Sequence, residues 1–133
     1  MKKIILLFAS CIIALLGVAC KKNNAEIKNF ENIYLEYCGE TASDWGWMGI
    51  SGDKKTLSLD TKPVDDYLEI SFDEEVIDVI YAVHEQFNIP SYVIDLIAET
   101  SKADGTQKFE NDLILVWWKY SSVKGLEITY ELK

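Results

Sequence analysis

Arginine is absent from this chain, and lysine supplies all 13 of its basic side chains against 22 aspartates and glutamates. Proteins that bind phosphate or nucleic acid favour the planar fork of arginine and a positively charged surface. A formal net charge of −9 without arginine therefore predicts that nucleic acid is not a partner. The acidity suits either solubility at a crowded surface or attraction to a basic partner, and the composition leaves both open.

Cysteine and histidine are also scarce. Cys11, Cys20 and Cys38 cannot build a disulfide framework, and with His84 they are too few for a metal site of thiolate and imidazole ligands. No GxSxG motif is present, and the plentiful carboxylates do not follow an EF-hand loop. Cys38 is expected to be a small buried hydrophobe and His84 a surface or packing residue. The sequence thus predicts no enzyme, no cofactor and no bound metal.

An apolar run of sixteen residues without charge spans residues 4–19, after the basic start Met1-Lys2-Lys3. A transmembrane helix needs about 20 apolar residues, so this run is short for a membrane span. A basic start, an apolar stretch and small residues before a cleavage point are the order of a secretory signal. Residues 1–19 are therefore predicted to be a signal peptide.

The end of this run resembles the lipobox of bacterial lipoproteins. Gly17-Val18-Ala19-Cys20 places small residues before a cysteine, with glycine where leucine is usual. The resemblance implies a diacylglyceryl group on the Cys20 thiol, cleavage before Cys20, and acylation, for example by palmitate, of the new amino terminus. A retained amino-terminal membrane anchor is the alternative interpretation. Both place the protein on the extracytoplasmic side of the cell membrane or the outer membrane.

The remainder of the chain divides into a tether and one domain. Residues 20–26 are polar and predict a short lipidated tether, in which each buried methylene of an acyl chain contributes about 0.8 kcal/mol. Removal of residues 1–19 leaves 11 lysines against 22 carboxylates, so the mature chain is more acidic still. Residues 27–133 are the length of one ordinary domain with its own core.

Two consecutive helices are predicted in the middle of this domain. An apolar stripe predicts a helix over 74–87; its members are Val76, Ile77, Ile80, Val83 and Phe87. A second helix is predicted over 90–101, with a strand as the competing interpretation because the stretch YVIDLI is rich in β-formers. Residues 27–38 predict a helix or irregular start that runs into a strand.

Alternating patterns predict a mainly antiparallel sheet. The stretches WGWMGIS and TLSLD flank GDKK as a hairpin, and DYLEISF predicts a third strand. Residues 113–118 are apolar on both faces, which predicts the central strand of the sheet. Residues 126–132 alternate, so the chain should end in a β-hairpin. Early strands, a helical pair and a terminal hairpin indicate the α+β class, with both helices packed on one face of the sheet.

Tryptophans give the clearest indication of a binding surface. Trp45 and Trp47 would share one face of the first predicted strand, where they form either a platform for a glycan or peptide or part of the core. With Asp65 and Asp66 they are the candidate partner-binding residues. The predicted function is a membrane-anchored, non-enzymatic module that binds an envelope protein, a foreign protein or a cell-wall component, with an inhibitor or immunity-like role as one version. An enzyme that acts on envelope glycans through paired carboxylates is the alternative.

Overall fold

The computed structural model describes residues 29–63 and 70–133. The predicted signal peptide and tether, with Cys20, lie outside these residues, as do Asp65 and Asp66. None of the helices in the two described ranges has the length and apolar content needed to cross a membrane.

Four α-helices form in the described ranges, and the two longest confirm the predicted helical pair. α3 (Asp73–Gln86) buries Val76, Ile80 and Val83, while three carboxylates in its first turn complement the helix dipole. α4 (Ser91–Ala98) lies within the predicted second helix and buries Val93 and Ile97, so the strand alternative there is wrong. Two shorter helices precede them, α1 (Glu31–Tyr37) and α2 (Glu40–Trp45).

The described part of residues 27–38 is helical, and the strand expected at its end is wrong. Phe30 and Ile33 are fully or almost fully buried, and Tyr34 and Tyr37 pack against the same core. Their spacing of three and four residues puts these side chains on one side of α1, which packs against α3. Burial of that stripe outweighs the β-propensity of the aromatic and branched residues.

A five-stranded antiparallel sheet confirms the α+β class and both predicted hairpins. The strands lie in the order β1-β2-β5-β4-β3, so that β5 is central. β1 and β2 form the first hairpin, and β4 and β5 form the C-terminal one. The strands are β1 (Met48–Ile50), β2 (Thr56–Asp60), β3 (Gln107–Glu110), β4 (Ile114–Ser121) and β5 (Gly125–Leu132).

Two strand predictions differ from the structure. Ile70, Ser71 and Phe72, the described end of the third predicted strand, are not in a strand and lead directly into α3. β3 was not expected, because its four residues follow a polar loop and alternate only weakly. The strand forms because β4, which has the stronger pattern, provides a partner edge for it.

The helices cover one face of the sheet, and the core lies between the two layers. On the covered face, alternate residues of β4 and β5 pair in register, with Ile114, Val116 and Trp118 opposite Leu132, Tyr130 and Ile128. Leu115 and Trp117 point to the other face and are partly exposed. β4 is therefore an interior strand beside the central β5, not the central strand predicted for residues 113–118, and its second face is open to solvent.

The two ends of the sheet have different neighbours. At one end, here called the tether end, the Phe30 amide donates to the Lys54 carbonyl in the β1–β2 turn, at 2.8 Å. At the opposite end, which we call the hairpin end after the C-terminal hairpin, the β4–β5 turn meets Thr61. α3 also starts at the hairpin end, where the Phe72 amide donates a hydrogen bond to the Thr61 carbonyl at 2.8 Å.

Gly125 makes the junction at the hairpin end possible. Its φ of 68° is in the left-handed region, and a Cβ at this position would collide with the Thr61 hydroxyl. That hydroxyl accepts a hydrogen bond from the Leu126 amide at 2.8 Å. A glycine is therefore required for β5 to approach the chain that enters α3.

Candidate functional site

Trp45 and Trp47 do not form one exposed platform, and the prediction that they share one face of a strand is wrong. Trp45 ends α2 and is 37% exposed, whereas Trp47 is 3% exposed and stacks on Phe72 with ring centroids 6.1 Å apart. Gly46, in the left-handed conformation between them, turns the chain before β1 begins at Met48, so strand alternation does not apply. Trp47 belongs to the core. Asp65 and Asp66 lie outside the described residues.

Neither His84 nor Cys38 is placed for catalysis. His84 is 3% exposed, and its Nε2 lies 3.1 Å from the Tyr130 hydroxyl. Burial lowers the pKa of His84 from 6.5 to about 4, so the imidazole is neutral at neutral pH. Its Nδ1 has no hydrogen-bond partner among the described residues. Cys38 is partly buried against the core, in agreement with its expected role as a small hydrophobe.

Metal ligands do not converge in the described ranges. No group of three or more histidine, cysteine, aspartate or glutamate side chains there is arranged to hold a metal ion. In those ranges the carboxylates that lie close together are instead paired with lysines or exposed on helices.

An apolar groove lies between α3, α4 and the hairpin end of the sheet. It has a volume of about 250 Å³ and is partly open to solvent. We call it the helix groove. It is lined by Thr61, Asp73, Val76, Ile77, Ile80, Ile94, Ile97, Ala98, Thr100, Tyr120 and Leu126.

Each wall of the helix groove follows from helical or strand spacing. On α3 the lining positions Asp73 and Ile77 are one turn apart, and on α4 Ile94 and Ala98 are one turn apart. The floor is formed where Tyr120 of β4 pairs with Leu126 of β5. Ile77 is 40% exposed and Tyr120 is 38% exposed, so two large apolar side chains face solvent at the groove.

The threonine hydroxyls in the groove are already engaged. The Thr100 hydroxyl donates to the Leu96 carbonyl at 2.7 Å and accepts from Trp118 Nε1 at 2.8 Å and Gln107 Nε2 at 3.2 Å. The Thr61 hydroxyl accepts from Leu126, as described above. The carboxylate of Asp73 is therefore the charged group that the groove offers to a ligand, and its described neighbours include no ion-pair partner.

Charge is distributed differently on the helices and on the sheet. Residues 73–98, which contain both α3 and α4, carry six carboxylates and no lysine. On the open face of the sheet, by contrast, Lys119 pairs with Glu127 at 3.5 Å and Lys124 with Asp60 at 3.6 Å. Among the described residues no ion pair joins these six carboxylates to a lysine, so this part of the helical layer presents negative charge.

The open sheet face holds the carboxylate pair that the enzyme alternative would need. Asp60 and Glu127 are directly opposite in the β2–β5 register, which places their Cβ atoms about 4.5–5.5 Å apart. Burial raises the pKa of Asp60 above its usual range, although the charge of Lys124 opposes this. Each carboxylate has its own lysine, so the arrangement is that of a structural ion-pair network.

Sequence reasoning missed the helix groove. Its lining comes from four separate segments of the chain, and only the folded topology brings them together. One signal was available, since residues 73–98 contain six carboxylates and no lysine.

Comparison with known proteins gives no relative for this chain. No protein-family model matches it, and neither the curated proteins nor the solved structures contain a significant match.

Proposed function

We propose that the protein is a lipid-anchored, extracytoplasmic binding module that holds a protein partner in the helix groove. The observation that carries this proposal is an apolar groove lined by two half-exposed large hydrophobic side chains, Ile77 and Tyr120. Apolar side chains that become fully desolvated at the centre of an interface supply most of the affinity of protein complexes. An envelope protein and a foreign protein that the module inhibits are both partners of this kind.

The dimensions of the groove support a protein partner over a small molecule. Pockets for cofactors and drug-sized ligands are about 300–1,000 Å³ and combine apolar walls with several free polar groups. The helix groove is smaller, at about 250 Å³, and its threonine hydroxyls are engaged within the protein. Its size suits one or two apolar side chains of a partner.

Anchoring through Cys20 is tested by intact mass spectrometry of the membrane fraction. We expect a chain that begins at Cys20 and carries two or three acyl groups, because the sequence before Cys20 resembles a lipobox. A Cys20→Ser variant should lose the acyl mass and keep residues 1–19, because cleavage before position 20 follows lipidation of the cysteine thiol. An unmodified chain that begins at Met1 would contradict the anchoring part of the proposal.

Partner binding is tested by affinity capture with the full lipoprotein from detergent-solubilised membranes. Ile77→Gln should reduce recovery of a stoichiometric partner by about tenfold or more, because it places a polar amide at the groove wall. Leu35→Gln is the matched control, since Leu35 is 67% exposed on α1 and lies away from the groove. Thermal melts should show both variants folded. Equal capture by both variants would contradict the groove as the binding site.

The same preparations test the enzyme alternative. Turnover of a cell-wall polymer that is abolished by Asp60→Asn, together with no stoichiometric partner, would favour a glycan-acting enzyme at the Asp60–Glu127 pair. We expect no such turnover, because both carboxylates are held in ion pairs.

A further inference from the structure

We infer that the partner segment in the helix groove is a cationic amphipathic helix; this inference rests on the proposed function. Its apolar face would lie against Ile77, Ile94 and Tyr120, and a lysine or arginine side chain would reach the carboxylate of Asp73 at the groove. Three features of the described residues lead to this assignment: the strands beside the groove, the helical ridges that form its walls, and the charge of the helical layer.

An extended partner strand has no free edge at the groove. β4 and β5, which supply Tyr120 and Leu126, are interior strands: β4 lies between β3 and β5, and β5 lies between β2 and β4. Their backbone hydrogen bonds are therefore used within the sheet. Addition of a partner strand requires an unpaired edge, so β-augmentation is not available here.

The walls of the groove instead offer ridges to a helix. Asp73 and Ile77 form a ridge with one-turn spacing on α3, and Ile94 and Ala98 form another on α4. Helices pack by setting the ridges of one into the grooves of another, and an amphipathic helix anchors itself through side chains at positions i, i+3, i+4 and i+7. The small side chain of Ala98 leaves room for close approach.

The negative charge of α3 and α4 favours a positively charged partner. Residues 73–98 carry Asp73, Glu74, Glu75, Asp78, Glu85 and Asp95 without a lysine, and Asp73 lines the groove itself. Potentials at specific interfaces are complementary, and this complementarity raises association rates and excludes like-charged partners. An anionic helix or an anionic lipid surface would be repelled by the same layer.

The test measures binding of fluorescent model peptides to the full mature lipoprotein in non-ionic detergent, with empty micelles as the blank. The first probe is a helix of about 18 residues that carries leucine on one face and lysine on the other. The second has glutamate in place of lysine, and the third has the lysine–leucine composition in scrambled order. We expect the first probe to bind at least about tenfold more tightly than either control, and to lose affinity between about 0.02 M and about 0.5 M salt because screening shortens electrostatic range.

Paired charge reversals locate the interaction. Asp73→Lys and Glu75→Lys change the net charge equally and both add lysine to the first turn of α3. Asp73 lines the groove, whereas Glu75 is two positions further along the helix, about 200° away around its axis. We expect Asp73→Lys to weaken binding of the lysine–leucine probe by about tenfold or more and Glu75→Lys by about threefold at most.

Other outcomes overturn the inference. Equal binding of the lysine and glutamate probes, or equal effects of the two charge reversals, would show that a cationic helix is not recognised at the groove. If Ile77→Gln abolishes capture of the cellular partner while both reversals leave capture unchanged, the groove remains the binding site and only the cationic partner is wrong. Capture that survives Ile77→Gln removes the proposed function itself.

Discussion

Replacement of Trp47 by alanine is expected to lower the free energy of unfolding by about 3–5 kcal/mol. The indole is 3% exposed and lies flat on Phe72, with an angle of 18° between the ring planes, so its removal leaves a cavity between the first hairpin and the start of α3. Urea unfolding of the purified protein, followed by circular dichroism, measures the change.

Trp45→Ala is the matched control for this experiment. Trp45 is two residues away and also contacts Phe72, with ring centroids 6.3 Å apart, but more than a third of its surface faces solvent. We expect a cost of about 1 kcal/mol or less for this change. A loss below about 1 kcal/mol for Trp47→Ala would contradict the assignment of Trp47 to the core.

Acidification is expected to destabilise the protein through His84. In the folded protein burial lowers the pKa of His84 to about 4, whereas the unfolded chain binds its proton with the ordinary pKa of 6.5. Between pH 6.5 and pH 4 the unfolded state therefore holds more protons than the folded state. The free energy of unfolding is highest above pH 6.5 and falls as the pH drops towards 4. The loss is about 2 kcal/mol at pH 5 and about 3 kcal/mol at pH 4.

A comparison with His84→Gln isolates this contribution. Glutamine does not titrate, and its amide can still hydrogen bond to the Tyr130 hydroxyl. Carboxylates also titrate in this range, among them Asp60 with its raised pKa, but they are the same in both proteins. Urea unfolding at several pH values between 7 and 4 should show a loss about 3 kcal/mol smaller in the variant. An equal loss of unfolding free energy in both proteins would mean that protonation of His84 does not destabilise the folded state.

The sequence predicts those elements whose pattern is set by one strong periodicity. The apolar stripe of α3 and the alternation of β5 each mark one buried face. These two patterns are therefore enough to predict the helix, the strand and the α+β class. The strand expected at the end of residues 27–38 is wrong because the aromatic residues there fit both periods and only contact with α3 selects the helix. The tryptophan pair is misplaced because Gly46 adopts a left-handed conformation that breaks the strand register.

The candidate site is less predictable than the fold. Thr61 and Leu126, two of its lining residues, are 65 positions apart and are joined by a backbone-to-side-chain hydrogen bond. Local patterns contain no information about such a junction, because it depends on the order of the strands. What the sequence does indicate is the charge of the helical layer, since a segment with six carboxylates and no lysine is visible before any folding is known.

The opposition between the tether end and the hairpin end separates the start of the described chain from the helix groove. If Cys20 is lipidated, the membrane attachment lies nine residues before Asn29, a length of chain that reaches at most about 30 Å, and the helix groove lies at the other end of the sheet. The eight residues of β5 span about 26 Å between these ends. That length is about three times the Debye length of about 8 Å at physiological salt. When the tether end faces the membrane, the groove lies beyond the range of the headgroup charge, so a cationic partner should bind there with the same constant in membranes of different lipid charge.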